Sequence, residues 1–399
     1  MSLLNEDVVE RLTEHLRNST TDLADADLRV PITHYVSEEF AAAERDLLLR
    51  TPLIAARSSE LPAPGDFITR TILGRSVIIA RQRDGSVRVS LNMCRHRGGR
   101  VEQAESGNKR VFMCSYHGWA YGSDGGLRNV PYEKAFEPID KKCNGLTQAH
   151  AEERHGFVWV DFSSQGRSIV DWLGPADAQV AAFGLDDAVT FIENQFTLDI
   201  NWKILMDGAY DILHLKYLHP NTVGKILETG TSVWRNYGPH GQLFSPRMKM
   251  TELAKSGEPI ENGWKYVGSN LVIYPNSMFI ASPDHVEHWV VWPDMTNPAR
   301  STVHIRFLVR PGILDERMKG RVTRSWEILR DAALDEDWPM ARSIQENAES
   351  NPDGTFLYGR GEASCQHLHR RLMADIGGRY ANALNDMTSN TDKKAGEIG

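Results

Sequence analysis

The sequence has few cysteines, no excess of positive charge and no long apolar run. Four cysteines among 399 residues are too few for a disulfide framework, so they are better candidates for metal ligation or burial. The net charge of −8 offers no general basic surface, and we expect no nucleic-acid partner. No run of about 18 apolar residues occurs and the first residues are polar, so we expect a cytoplasmic protein without a membrane partner.

The hydrophobic pattern changes along the chain and predicts more than one domain. Apolar residues at helical spacing predict helices over residues 1–50. Short β-rich runs broken by glycine and aspartate predict a small β domain between about residues 66 and 162. Long strand-like runs beside amphipathic helices predict an α+β domain beyond about residue 189, followed by a flexible tail at 391–399.

Two cysteines and two histidines lie close together in the predicted β domain. Cys94 and His96 form a Cys-x-His pair, and Cys114 and His117 form a Cys-x-x-His pair. A zinc site is one interpretation, although zinc sites usually pair like ligands, whereas each pair here mixes a cysteine with a histidine. The mixture favours a two-iron cluster in which two histidines replace two cysteines on one iron. Buried cysteines with incidental histidines are the plain alternative.

The stretches CRHRGG and CSYHGWAYGSDGGL resemble the two ligand loops of Rieske [2Fe–2S] domains. The second loop is similar to that of the Rieske non-haem iron ring-hydroxylating oxygenases, in their large or alpha subunit. The resemblance implies that Cys94 and Cys114 hold one iron and that His96 and His117 hold the other. Neutral imidazoles leave the oxidised cluster less negative than thiolates would, so it is suited to accept one electron and pass it on.

A second set of metal-binding side chains occurs in NWKILMDGAYDILHLKYLHP, residues 201–220, of which we predict residues 202–217 to be helical. Asp211 and His214 are three residues apart and share one helix face. His214 and His219 are five residues apart, which is about 140° around an ideal helix. They converge on one ion only if the helix ends or deforms between them, and Pro220 favours an end at His219. The spacing alone supports metal ligands and surface histidines equally.

Rieske oxygenases bind a mononuclear iron through two histidines and one carboxylate, with positions left open for O₂. Their metal-binding helix is similar to this one, with Asn-Trp-Lys at its start and then Asp-x-x-His-x4-His. The resemblance implies that His214 and His219 bind Fe(II). It also implies that Asp211 links His214 to the cluster-bound His117 of a neighbouring subunit and so provides a path for electrons. The family usually has Asn seven positions before the first histidine, where this chain has Asp207, which either hydrogen-bonds near the iron or faces water.

The third iron ligand must come from another part of the chain. The stretch LDEDWPMARSIQ, residues 334–345, is similar to a family pattern of Glu-Asp followed by Gln, here Glu336, Asp337 and Gln345. The resemblance implies that Asp337 is the carboxylate ligand, with Asp335 and Glu336 as rivals. An ordinary acidic start of a helix is the plain alternative, because the helix dipole favours negative charge there.

The resemblance covers nearly the whole chain and implies its domains, fold class and assembly. The implied domains are N-terminal helices over residues 1–44 packed on the catalytic domain, a Rieske domain over residues 45–162 and a catalytic domain over residues 163–390. The expected class is α+β: an all-β Rieske domain plus a catalytic domain in which helices cover a curved antiparallel sheet, a helix-grip or START-like arrangement. The expected assembly is a head-to-tail homotrimer, or an α3β3 complex with a small β subunit. An apolar pocket between the sheet and the helices is expected to bind the substrate. Its predicted lining is Leu205, Met206, Leu213, Leu271, Phe279 and Trp289.

The implied function is that of a terminal oxygenase in aromatic hydrocarbon catabolism. Electrons from NADH or NADPH arrive through a reductase, with or without a ferredoxin, and O₂ is used to cis-dihydroxylate a small aromatic substrate. Monooxygenation or demethylation at a non-ring position uses the same scaffold and stays open. A more distant alternative is a Rieske electron carrier fused to a ligand-binding domain that lacks iron.

Overall fold

The computed structural model describes residues 6–164, 166–312 and 314–377. The predicted tail at 391–399 lies outside these described residues. Within them, no helix is both long enough and apolar enough to cross a membrane.

The chain divides into two compact units. The smaller unit consists of Leu48–Trp172 and Gly184–Ala188. The larger unit consists of the described residues of Met1–Leu47, Leu173–Phe183 and Val189–Gly399. The chain therefore passes between the units more than once near residues 172–189, and the single predicted boundary at 162/163 stays a prediction.

The N-terminal segment begins with an amphipathic helix. Its elements are α1 Glu6–Asn18, β1 Leu28–Pro31, α2 Thr33–Val36 and α3 Glu38–Leu49. In α1, Val8, Leu12 and Leu16 recur every four residues and are buried, so one face of the helix packs into the core of the larger unit.

The smaller unit is built of β-strands. They are β2 Leu53–Arg57, β3 Asp66–Ile72, β4 Arg75–Arg81, β5 Val87–Leu91, β6 Ser106–Asn108, β7 Val111–Met113, β8 Ala120–Gly122, β9 Leu127–Asn129, β10 Gln148–Arg154 and β11 Phe157–Asp161. Seven strands form an antiparallel sheet in the order β2-β11-β10-β5-β4-β3-β6, and β7-β8-β9 form a second antiparallel sheet. Aromatic side chains of both sheets share one core with Cys94 and Cys114.

The remaining elements begin with helices and the strands of a second large sheet. They are α4 Ile169–Leu173, α5 Ala176–Phe183, β12 Val189–Leu198, α6 Trp202–Tyr210, α7 Leu215–Leu218, β13 Val233–Tyr237, β14 His240–Pro246, α8 Met248–Ser256, β15 Val267–Ile273, β16 Ser277–Ala281, β17 Val286–Pro293 and β18 Ser301–Val309. The chain continues through α9 Glu316–Asp331, a π-helical turn Ala332–Asp337, α10 Trp338–Ser350, β19 Thr355–Tyr358 and α11 Ala363–Ile376. Short 3₁₀ turns cover Ser58–Glu60, Glu133–Ala135, Val223–Lys225 and Gly263–Tyr266.

The seven-stranded sheet of the larger unit presents one face to α6. Its antiparallel order is β12-β18-β17-β16-β15-β14-β13, while β1 and β19 pair separately. Asn270 of β15 donates its side-chain N–H to the carbonyl of Ala209 in α6 over 2.8 Å. Successive strand residues face opposite sides, so the register places Met278 and Trp289 on the same face as Asn270. Helices packed on antiparallel sheets confirm the predicted α+β class.

Candidate metal centres and active site

The two Cys–His loops of the smaller unit share one backbone geometry. The N–H of Gly98 donates to the carbonyl of Cys94, and the N–H of Gly118 donates to the carbonyl of Cys114, both over 2.9 Å. The N–H of each cysteine in turn donates to the carbonyl five residues further on. Gly98 and Gly118 have φ angles of 78° and 71°, in the left-handed region that glycine adopts without strain. Each loop therefore turns tightly around its cysteine.

The four candidate cluster ligands form an inner sulfur half and an outer imidazole half. Cys94 and Cys114 are buried free thiols, whereas His96 and His117 are half-buried, with ring centroids 4.5 Å apart. The pKa of His117 is lowered by desolvation and by the guanidinium of Arg97, which favours the neutral imidazole that metals bind. Two thiols on one side and two imidazoles on the other fit the ligand division of a Rieske cluster.

Aromatic side chains support both halves of this ligand set. The indole of Trp119 stacks on His96 with ring centroids 5.2 Å apart and planes 6° from parallel. The hydroxyl oxygen of buried Tyr121 accepts the N–H of Arg95 over 2.9 Å and lies 3.3 Å from Sγ of Cys94. Neither Trp119 nor Tyr121 was predicted to have a role, although both lie in the loop that resembles the second ligand loop of Rieske domains.

The helix predicted over residues 202–217 is broken in the structure. It ends at Tyr210, because Asp211 adopts extended backbone with φ −85° and ψ 137°. The short α7 starts only after His214 and ends just before His219. The break brings the two imidazoles together, which an unbroken helix would hold about 140° apart.

Three donor atoms converge beside this break. The Nε2 atoms of His214 and His219 are 3.1 Å apart, and Oδ1 of Asp337 lies 2.9 Å from Nε2 of His219 and 3.7 Å from Nε2 of His214. All three donor atoms lie within 4.8 Å of one another. Metal bonds of about 2.1 Å place two ligands at a right angle about 3.0 Å apart, which agrees with two of these separations, while the third is wider. The three donors of this His-His-Asp triad are close enough to bind one ion. They are the donor set of non-haem Fe(II) sites.

A carboxylate from outside the triad contacts Nδ1 of each of its two histidines. Oδ2 of Asp211 lies 2.8 Å from Nδ1 of His214, and Oε2 of Glu336 lies 2.7 Å from Nδ1 of His219. Burial opposes a charge on His219, but the carboxylates of Asp337 and Glu336 outweigh it and raise the pKa of His219. With each Nδ1–H donating to a carboxylate, both Nε2 lone pairs point toward the third donor.

The two carboxylates that contact His219 come from the π-helical turn between α9 and α10. Asp337 is the last residue of this turn and reaches both Nε2 atoms. Asp335 is exposed and is not part of the convergent set, while Glu336 contacts the opposite nitrogen of His219. The structure thus places Asp337, rather than either rival, at the shared point.

Buried polar contacts anchor α6, the helix that leads into the triad. Gln345 of α10 accepts the backbone N–H of Asn201, the N-cap residue of α6, over 2.9 Å. Lys203 is fully buried and pairs with Glu44 of α3 over 2.8 Å, and the indole N–H of Trp202 donates to the same carboxylate over 3.1 Å. These contacts tie the start of α6 to two other helices.

Asp207 on α6 belongs to a buried polar network. Its carboxylate accepts the hydroxyl of Tyr358 over 2.6 Å, and Nε2 of His369 lies 3.0 Å from both of its oxygens. The hydroxyl oxygens of Tyr35 and Tyr358 are 2.6 Å apart. The carboxylate of Asp207 is therefore hydrogen-bonded inside the protein and does not simply face water. Its catalytic role stays a prediction. Its partners lie more than 150 residues away in sequence, so spacing carried no signal for them.

The predicted pocket lining divides between the two faces of the sheet. Trp289 lies on the face toward α6. Leu271 and Phe279 are register partners on the other face, where Phe279 stacks on His288 with ring centroids 4.8 Å apart. A pocket between α6 and the sheet would be lined by Trp289 and not by Leu271 or Phe279, and the predicted lining as a whole stays a prediction. The other predicted residues lie in α6 or just after it: Leu205, Met206 and Leu213.

Two family models match the chain. A Rieske [2Fe–2S] domain model matches residues 51–144, and a model of the ring-hydroxylating alpha subunit catalytic domain matches residues 181–378. The first range contains both Cys–His loops, and the second contains the whole triad. The chain therefore belongs to the family of Rieske-type ring-hydroxylating oxygenase alpha subunits.

Sequence relatives include large components of aromatic dioxygenases. The large oxygenase component of the naphthalene 1,2-dioxygenase system of Ralstonia sp. is 42% identical over 262 residues, which cover 64% of this chain and 56% of that protein. The chain spans about half the length of the curated relatives that it matches.

Solved structures of two Rieske enzymes share the fold. Naphthalene 1,2-dioxygenase from Rhodococcus sp. aligns with a TM-score of 0.72 at 20% identity, over 94% of this chain and 99% of that one. The quaternary ammonium Rieske monooxygenase CntA aligns with a TM-score of 0.72 at 20% identity, over 92% of this chain and 99% of that one. At this identity the likeness shows the fold alone, and it confirms a Rieske domain joined to a helix-covered antiparallel sheet.

Proposed function

We propose that this protein is the terminal oxygenase component of a multicomponent Rieske oxygenase. It receives electrons from NADH or NADPH through a reductase, with or without a ferredoxin, and uses O₂ to cis-dihydroxylate a small aromatic substrate. One observation carries the proposal: the chain with the Rieske ligand set also brings the three donor atoms of the His-His-Asp triad within 4.8 Å of one another. A Rieske electron carrier whose second domain binds no iron would not need three converging donor atoms in that domain.

Side chains of this chain would hold both metal groups. Cys94 and Cys114 bind one iron of the cluster, His96 and His117 bind the other, and the triad binds Fe(II). When bound, the cluster supplies single electrons and the mononuclear iron supplies the site of oxygen activation. The triad would hold Fe(II) through three side chains, and sites of this donor type leave coordination positions open for chemistry with O₂.

Asp211 is proposed to connect the two kinds of site between copies of the chain. Its carboxylate holds Nδ1 of His214 at 2.8 Å and accepts the N–H of Leu213 at 2.6 Å. Its side chain is 21% exposed, so it can also meet an imidazole from another copy. The half-buried His117 is that imidazole in the proposed assembly. A carboxylate between two imidazoles orients both and provides a short hydrogen-bonded path for electrons.

The substrate class rests on the sequence relatives and on the side chains near α6. The relative at 42% identity belongs to a naphthalene dioxygenase system, whereas the monooxygenase likeness at 20% identity concerns the fold alone. The revised lining of Leu205, Met206, Leu213 and Trp289 is apolar and suits a small aromatic molecule. Dioxygenation of a ring is therefore preferred over attack at a non-ring position.

Assembly and location are further parts of the proposal. Asp211 and His117 each keep an accessible side that another copy can cover, which supports a head-to-tail ring of three, with or without a small β subunit. Four free cysteines suit the reducing cytoplasm, where reduced nicotinamide is also supplied.

The first test counts metals. Anaerobically purified protein should contain three irons and two acid-labile sulfides per chain. His214→Ala should keep both sulfides and lose one iron, because only the triad is disturbed. Two irons with two sulfides in the wild type, unchanged by added Fe(II), would contradict the oxygenase proposal.

The second test identifies the reaction. Reduced protein with naphthalene and ¹⁸O₂ should yield a cis-dihydrodiol that carries two labelled oxygens. A product with one labelled oxygen, or a demethylated product from a methoxylated aromatic, would instead assign monooxygenation. Oxygen consumption without any labelled product from an aromatic panel would overturn the proposed substrate class.

A further inference from the structure

The carboxylates of two adjacent residues, Glu336 and Asp337, contact the two ring nitrogens of His219. Oδ1 of Asp337 lies 2.9 Å from Nε2 of His219, while Oε2 of Glu336 lies 2.7 Å from Nδ1 of the same ring. His219 is only 2% exposed, so this pair of contacts forms in a largely desolvated place. Asp337 belongs to the triad, but no step of the proposed reaction has yet used Glu336.

The π-helical turn explains how adjacent residues reach both sides of the ring. In an α-helix, successive side chains point about 100° apart, which directs neighbours to different surfaces. A π-helical turn bonds each residue to the fifth one along and is wider, so successive side chains diverge less. Glu336 and Asp337 are the last two residues of this turn, and both face His219.

Thr222 gives Glu336 a second anchor. Its hydroxyl donates to Oε2 of Glu336 over 2.5 Å, and Thr222 lies three residues after His219 in the segment that follows α7. Glu336 thus connects the π-helical turn both to the imidazole and to the side chain of Thr222 just beyond it. The arrangement on the other histidine is similar, since Asp211 holds Nδ1 of His214 at 2.8 Å.

We propose that Glu336 is the positioning residue for His219 in the mononuclear metal site. By accepting the Nδ1–H proton, its carboxylate fixes the ring so that the Nε2 lone pair faces the point shared with Asp337 and His214. The inference rests on the proposed function, because it concerns the Fe(II) that the triad would hold. Glu336 differs from Asp211 in having no part in electron transfer between copies.

The test measures Fe(II) affinity in protein whose cluster is intact. Radiolabelled Fe(II) is dialysed to equilibrium against protein stripped of its mononuclear iron, and the cluster is monitored by its visible absorbance. Glu336→Ala should weaken Fe(II) binding by about 10- to 100-fold, as expected for loss of a carboxylate behind a metal-bound histidine. Glu336→Gln should recover part of the affinity, because its amide oxygen still accepts the Nδ1–H.

Matched variants separate positioning from a general loss of structure. Asp335→Ala removes an exposed carboxylate from the same π-helical turn and should leave Fe(II) affinity unchanged. Thr222→Val removes only the second anchor of Glu336 and should cause a smaller loss than Glu336→Ala. It also provides the test if Glu336→Ala does not fold.

A second measurement distinguishes Glu336 from Asp211. After saturation with Fe(II), Asp211→Ala should reoxidise its reduced cluster more slowly than Glu336→Ala when substrate and O₂ are added, because only Asp211 is proposed to carry electrons between copies. Fe(II) binding by Glu336→Ala as tight as in the wild type would overturn the inference and leave the oxygenase proposal intact. Absence of triad-dependent Fe(II) binding in the wild type would instead remove the oxygenase proposal itself.

Discussion

The cluster loops and the His-His-Asp triad bring metal ligands together over very different ranges of sequence. The cluster ligands all lie within residues 94–117, in two loops held by the same local hydrogen bonds and by glycines with positive φ. The triad joins His214 and His219 to Asp337, which lies more than 100 residues further along the chain. A local ligand set depends on its own turns, whereas a distant one depends on the packing that holds its segments together.

The triad therefore needs supports that the cluster loops do not. The helix before it is anchored at its start by Gln345 and by the buried Lys203–Glu44 pair. The turn that carries Asp337 is a π-helical insertion between two longer helices. We therefore expect substitutions far from the triad in the larger unit to disturb the triad. Substitutions in the loop turns should disturb only the cluster.

The largest expected effect comes from breaking the buried ion pair below α6. Lys203→Met leaves the carboxylate of Glu44, which is 1% exposed, without its cation, and should destabilise the larger unit by about 3–5 kcal/mol. Urea unfolding measures this loss, while the visible absorbance of the cluster should persist in native buffer.

The double variant provides the control for that ion pair. Replacing both charges, as Lys203→Met with Glu44→Leu, removes the unpaired charge and should recover most of the lost stability. A single Lys203→Met variant within about 1 kcal/mol of the wild type would show that the pair does not anchor α6.

A buried histidine should make the larger unit sensitive to alkaline pH. Burial opposes a charge on His285, but the carboxylates of Asp284 and Glu287 raise its pKa to about 9 from an ordinary value of 6.5. The folded state then holds a proton that the unfolded state has released. The stabilisation is complete below pH 6.5 and is lost as the pH rises through 9.

The measurement is the free energy of unfolding against pH for the wild type and His285→Gln. Between the two pKa values, the wild type should lose up to about 1.4 kcal/mol per pH unit that the variant does not lose. Equal slopes in both proteins would mean that His285 is neutral in the folded state.

The smallest expected effect on stability comes from the turn of a cluster loop. Gly118 has a φ of 71°, and a Cβ atom there would lie 3.0 Å from Cγ of Pro131. Gly118→Ala should therefore cost about 1–2 kcal/mol and accelerate loss of the cluster. The measurement is the rate at which visible absorbance bleaches in the presence of a chelator.

Gly85 offers a matched control in the same unit. Its φ is 87°, but an added Cβ would meet nothing within 4 Å, and it lies in the turn between β4 and β5. Gly85→Ala should introduce similar backbone strain without changing the bleaching rate. Equal rates for Gly118→Ala and Gly85→Ala would show that the loop turn does not govern cluster retention.

Sequence reasoning succeeded where chemistry and spacing are local. The mixed Cys–His pairs predicted a Rieske domain because few metal groups need two thiolates and two imidazoles in that order. The His214–His219 spacing was ambiguous by itself, because an ideal helix separates the two rings. A helix break in the folded chain brings their Nε2 atoms to 3.1 Å. Asp337 was selected over its neighbours through a family pattern, and the structure gives a geometric reason for the selection.

Sequence reasoning did less well where partners are far apart. The predicted pocket combined residues from both faces of the sheet, because strand positions in the sequence do not reveal which face a helix covers. The network of Asp207 with Tyr358 and His369 had no sequence signal, since contacts across more than 150 residues depend on how helices and strands pack.

The sequence by itself determined the metal chemistry of this protein: which donor types are present, at what spacing, and in which two segments. Only the tertiary structure decided how Asp337 reaches both histidines, which carboxylate contacts Nδ1 of His219, and which sheet face meets α6. The physical reason is that donor type and local turn geometry are properties of a few adjacent residues. Convergence of donors from distant segments is a property of packed helices and sheets, whose contacts the linear order does not specify.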